Sequence, residues 1–135
     1  MRVNEYMSRP VTARTEDSYI QACSLMQQHA VNHIPVINDH DSVVGVLSCN
    51  DARLAASHFH TGPIDAGEVA TSAPVMIDAD APLKLAAEAM MAHHADVLMV
   101  VDGADHLVGV LTSHDLHNAL FDLLHDVGPT FKSVD

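Results

Sequence analysis

The chain has 135 residues, enough for one compact unit or two small halves that need no disulfide staple. Apolar residues make up 48% of it and its formal charge is −12, six basic side chains against 18 acidic ones. That composition excludes a disordered chain, and a field of that sign opposes nonspecific binding to nucleic acid or to an anionic membrane surface. With no Trp and only 4% aromatics, the core has to be aliphatic. No window approaches the roughly 18 continuous apolar residues of a membrane span. The opening MRVNEYMSRP lacks the apolar stretch of a signal peptide. Cys23 and Cys49 belong to no CxxC pattern and read as reduced thiols of a cytoplasmic protein.

In chain order, an extended piece PVTART comes first, followed by a helical stretch TEDSYIQACSLMQQHA. Thr15 is its expected N-cap, with Glu16 and Asp17 at the positive end of the helix and Ala22, Leu25, Met26 and His29 at helical spacing. Two strands follow, HIPVIN and SVVGVLS, joined as a hairpin by the turn NDHD, and then a second helix, NDARLAASHF. The Gly- and Pro-containing stretch SHFHTGPIDAGE holds the linker. The pattern then repeats: PVMIDA extended, DAPLKLAAEAMMAHHA helical with Asp80 as the expected cap, VLMVVD and HLVGVLT as a hairpin across DGAD, and HDLHNALFDLLHD helical. This gives a first repeat over 1–60, a linker over 61–67, a second repeat over 68–126 and a tail over 127–135.

The repetition is in register. Gly45 recurs as Gly109 and Asp51 as Asp115, an offset of 64 in both cases, and residues 8–53 slide onto 72–117 without a gap. Such a register marks an internal duplication of a β-α-β-β-α unit. Half a chain of this length buries little surface alone, so the halves are expected to pack sheet to sheet with approximate two-fold symmetry.

The phrases GVLSCND and GVLTSHD carry the most chemical information. Ser48-x-x-Asp51 and Thr112-x-x-Asp115 fit a capping box, in which the hydroxyl accepts from a helix amide and the carboxylate sits in the first turn. The same residues also fit a ligand site. A strand that ends in a hydroxyl and opens a helix leaves amides free for a phosphate, and an aspartate one turn in can accept two hydrogen bonds from a ribose diol.

The segments MSRPV, IPVI and VVGVLSCND, matched by TSAPV, LMVV and LVGVLTSHD, resemble the two repeats of a cystathionine-beta-synthase (CBS) domain pair, or Bateman module, over roughly residues 3–122. The resemblance implies an α/β (α+β) fold of two packed repeats with pseudo-two-fold symmetry. It implies clefts between them for adenosyl ligands: AMP, ADP, ATP or S-adenosylmethionine. It further implies regulation of an attached or associated protein, no catalysis by the module itself, and disk-like dimers. Carried over residue by residue, one cleft joins Thr112, His114 and Asp115 to Val11, Thr12, Ala13, Asn32, His33 and Pro35. The other joins Ser48, Asn50 and Asp51 to Val75, Met76, Ile77, Asp96, Val97 and Met99. Asp96 and Val97 stand where the family can carry His and Arg. A carboxylate beside a phosphate is unfavourable, which leaves His33, His114, Arg14 and Arg53 as the phosphate candidates.

Histidines at 58 and 60, 93 and 94, and 114 and 117 form no metal-ligand pattern, so no metal and no required cofactor is expected. His29 and His93 recur at one repeat position and suit helix C-termini. Met26, Met90, Met91 and Met99 read as core fillers. No nucleophile with its base and orienting group is visible, so an enzyme is not expected. Leu116, Ala119, Leu120 and Leu123 make an apolar face on the last helix, which points to a homodimer. The rival to a ligand sensor is a ligand-free dimerisation module.

Overall fold

The computed structural model describes residues 1–48, 50, 65–70 and 74–125. A 3-10 turn at Val3–Glu5 leads to β1 (Ala13–Arg14), α1 (Tyr19–Gln28), β2 (His33–Ile37) and β3 (Val43–Ser48). A short helix α2 (Ala66–Val69) precedes β4 (Met76–Asp78), α3 (Leu83–His93), β5 (Val97–Val101), β6 (Leu107–Thr112) and α4 (Ser113–Leu123). Beyond Asn50, the helix expected over NDARLAASHF, with Asp51 and Arg53, lies outside the described residues, as does the tail.

Each half forms a three-stranded sheet, β1-β2-β3 and β4-β5-β6, with the first pair parallel and the second antiparallel. The duplication holds down to register. Ala13 pairs with Val36 as Ile77 pairs with Val100, and His33 with Ser48 as Val97 with Thr112. The hairpin irregularity falls at Val36/Ile37 and again at Val100/Val101. Even the left-handed residues correspond: Ala30 and His94 at φ 53° and 50°, Asp41 and Asp105 at φ 60° and 62°. Both hairpin turns are tied by a side-chain oxygen. Asn38 Oδ1 accepts from the amides of His40 and Ser42, and Asp102 Oδ1 from those of Ala104 and His106. The His106 and Ala104 amides hold the Asp102 carboxyl below its ordinary range.

Both helices start later than the sequence suggests. Ser18, not Thr15, caps α1: its hydroxyl accepts from the Gln21 amide, and the Gln21 side chain accepts from the Ser18 amide. Thr15 is still part of the sheet edge, its amide donating to the Ile37 carbonyl at 3.0 Å. Asp17 closes a turn onto the Arg14 amide at 2.9 Å, so the chain bends before it coils. In the second half Pro82 stands at the cap position with no side-chain bond, and Asp80 accepts instead from Asn4 Nδ2. The first α3 amide, Leu83, donates to the carbonyl of Met1.

Two aliphatic cores result, and each borrows a segment from the other half. Ala22, Met26, Ile34, Val36 and Leu47 bury with Ala66 of α2, while Ala86, Met90, Leu98, Val100 and Leu111 bury with Val3. The loans are reciprocal. Val3 and Asn4 donate to the carbonyls of Ala81 and Ala79, and Ala66 and Gly67 donate to those of Asp17 and Thr15. Ser8 extends the second sheet by exchanging two 2.9 Å bonds with Val110. Tyr6 donates its hydroxyl to Asp122 of α4 at 3.0 Å, a bond that pushes the phenol above its ordinary value.

Candidate functional site

Where the two halves meet, the strand ends and the loops before β2 and β5 enclose a cleft of about 520 Å³. Its walls are Ala30, Val31, Asn32, His33 and Pro35 from the first half and Asp96, Val97, Met99, Val110, Thr112, Ser113 and His114 from the second. Pro35 and Met99 are fully buried, while Asn32, His33, Asp96 and His114 are exposed at its mouth. The volume lies within the usual range for small-molecule sites, as does the combination of apolar walls and a few polar groups.

The residues expected in two separate clefts are thus partly brought together in one. Asn32, His33, Pro35, Thr112 and His114 from the first set line it beside Asp96, Val97 and Met99 from the second. The first-strand residues do not. Ala13 and Ile77 are buried in the two cores, and Val11 and Val75 pack against those cores. Thr12 is half-buried and Met76 exposed, and neither lines the cleft. Alternation explains this: in a strand, every second side chain faces the helices. Ser48, half-buried at the end of β3, and Asn50, exposed, lie outside this cavity; Asp51 lies outside the described residues. Val110 also lines the cleft, although it is not among the residues expected there. It faces away from the core between buried Gly109 and Leu111, so the period of two could have found it. Ala30, Val31 and Ser113, likewise not among them, simply flank the expected residues.

At Thr112 the capping box is fully formed. Its hydroxyl accepts from the Asp115 amide at 3.3 Å, and Asp115 Oδ2 accepts from the Thr112 amide at 2.8 Å and hydroxyl at 3.0 Å. Among the described residues the other carboxylate oxygen, Oδ1, accepts no bond. The first α4 amide, Ser113, donates to the Asp96 carbonyl at 2.9 Å, which ties the loop before β5 to the helix. Gly109 lets the Met7–Ser8 segment cross β6 closely: a Cβ there would lie 2.6 Å from Met7 Sδ and 3.0 Å from the Ser8 carbonyl. Among the described residues, no three His, Cys, Asp or Glu side chains gather as a metal group, and no helix is long and apolar enough to cross a membrane.

Paired β-α-β-β units around a shared cleft define a tandem-repeat α+β module, and comparison with known proteins identifies it. The sequence profile of the CBS domain matches residues 3–58 and again 66–122, and the chain belongs to that family. It is 32% identical over 118 residues to the homoserine O-acetyltransferase of Methanocorpusculum labreanum, covering 86% of this chain and 23% of that protein. The chain therefore spans about a quarter of that relative's length. Among solved structures it is similar to the CBS domain pair of protein MJ0100 in complex with 5′-methylthioadenosine and S-adenosyl-L-methionine, with a TM-score of 0.77 at 25% identity, covering 89% and 99% of the two chains. The CBS domain protein PAE2072 from Pyrobaculum aerophilum, complexed with AMP, superposes with a TM-score of 0.80 at 24% identity, covering 93% and 99%.

Proposed function

We propose that this chain is a regulatory module that senses an adenosyl ligand of the AMP, ADP, ATP or S-adenosylmethionine class and passes the signal to a partner protein or through its own dimer. The observation that carries this reading is the cleft of about 520 Å³ between the repeats. Val31, Pro35, Val97, Met99 and Val110 offer flat apolar walls for a base, and Thr112 and Ser113 offer polar groups at the start of α4. The relation to a domain pair that holds two adenosyl compounds supports it. Catalysis is assigned to no residue of the module, and its setting is the cytoplasm.

Calorimetric titration with AMP, ATP and S-adenosylmethionine tests the reading. Binding of at least one of them below millimolar concentration is expected, weakened at least tenfold in the His33→Ala, Thr112→Val double variant. No heat from any of them at millimolar concentration removes the sensor reading and leaves the dimerisation module.

A second copy is the proposed cover for the outer face of the second repeat. Leu120 and Leu123 are exposed there and, with Leu83, Ala87 and Leu116, line a largely apolar groove of about 440 Å³ between α3 and α4. An unpaired apolar face of this kind marks an interface, and two-fold closure is the commonest solution. Light scattering at micromolar concentration is expected to give twice the 14.5 kDa chain mass.

A further inference from the structure

Asn32 and Asp96 occupy the same position in the two repeats, and both line the cleft. They have nearly the same size and differ in charge. Among the described lining residues Asp96 is the one carboxylate, and no Lys or Arg accompanies it; the remaining titratable groups are the imidazoles of His33 and His114. The start of α4 does not offset that charge. Of its first three amides, Ser113's donates to the Asp96 carbonyl and Asp115's to Thr112 Oγ1, which leaves His114's. A helix end receives phosphate through such free amides, and here two of three are already engaged.

We propose that Asp96 sets the charge class of the ligand: the cleft takes adenosine derivatives whose 5′ arm is neutral or cationic and rejects nucleotides. The inference rests on the reading of the cleft as the adenosyl site and adds the selection rule. A carboxylate a few ångströms from a phosphate in a partly hydrated cleft weakens binding by about three- to thirty-fold per unit charge, and it favours a sulfonium or ammonium arm by a comparable factor. Asp96 is held for this purpose by its main chain, because the 2.9 Å bond from Ser113 fixes the loop while the side chain stays at the mouth.

The test uses three probes at pH 8, where imidazoles are ordinarily uncharged: 5′-methylthioadenosine with a neutral arm, S-adenosylmethionine with a cationic one, and AMP. Each is titrated into the wild-type chain and into Asp96→Asn, a change to the residue that the first repeat already carries at this position. Wild type is expected to prefer the first two over AMP. Asp96→Asn is expected to tighten AMP about three- to thirty-fold, to weaken S-adenosylmethionine, and to leave 5′-methylthioadenosine within about twofold. If 5′-methylthioadenosine binds and the substitution leaves its ratio to AMP unchanged, or if wild type prefers AMP, the selection rule is wrong while the site stands. If none of the three binds to either protein, the site itself is wrong and the rule falls with it.

Discussion

Thr112 and Asp115 show how one pair of residues can serve the fold before it serves a ligand. Asp115 Oδ2 takes two bonds from Thr112, and the Thr112 hydroxyl oxygen in turn accepts one from the Asp115 amide. These bonds satisfy donors that the start of α4 would otherwise leave open. Asp115→Ala and Thr112→Val should therefore each cost about 0.5–2 kcal/mol without any ligand present. Thr112→Ser, which keeps the hydroxyl, should cost less than half of that. Urea unfolding checks this through the midpoint at constant m-value. An unchanged midpoint in Asp115→Ala would mean that the carboxylate is held for a ligand alone. The spacing of the two residues made this box legible in the sequence. The cap of α1 was less so, because Thr15, Asp17 and Ser18 are all good capping residues. What decided among them is a long-range bond, from Thr15 to Ile37 in the neighbouring strand, which no local pattern records.

At the level of the elements, the duplication made most of the fold legible. Apolar alternation located both hairpins, and Asn38 and Asp102 marked their turns. The phase of the first strands was harder to read. β1 has two residues and β4 three, too short for a period of two to declare which side chains face the core. Ala13 and Ile77, which the sequence places at the clefts, are buried in the two cores. Gly109 offers a sharper case. Its φ is not left-handed, so the glycine is required by close approach: a Cβ would press on the Ser8 carbonyl at 3.0 Å, and backbone cannot swing aside as Met7 can. Gly109→Ala is expected to cost about 1–3 kcal/mol and to break the Ser8–Val110 pair. Gly103 is the internal control, with nothing within 4 Å of its Cβ position. Gly103→Ala should leave stability within about 0.5 kcal/mol or raise it slightly. Thermal melting of the two variants side by side decides. Equal effects would show that glycine flexibility matters at Gly109, and not the space.

For the molecule as a whole, the exchanged segments matter more than either core. Val3 is 0% exposed, yet the core that buries it is built by residues 77–119. Ala66 is likewise 0% exposed, in the core built by residues 13–47. Met1, Val3 and Asn4 also supply the main-chain partners of Leu83, Ala81 and Ala79, so the opening of α3 is completed by the start of the chain. A ligand that altered the fit of the two halves at the cleft would therefore be felt in both cores. The same linkage sets an expectation for mutants. Val3→Ala removes two buried methyl groups and should cost about 1–3 kcal/mol, since little of the space left behind can collapse. Although the substitution is made in the first repeat, its effect should appear in the second. Native-state hydrogen exchange reads this directly. The amides of Leu98 and Val100 in β5 are expected to lose protection at least as much as those of Ile34 and Val36 in β2. Loss confined to β2 would mean that the halves are held by the cleft surfaces alone, and that the borrowed segments follow the fold without stabilising it.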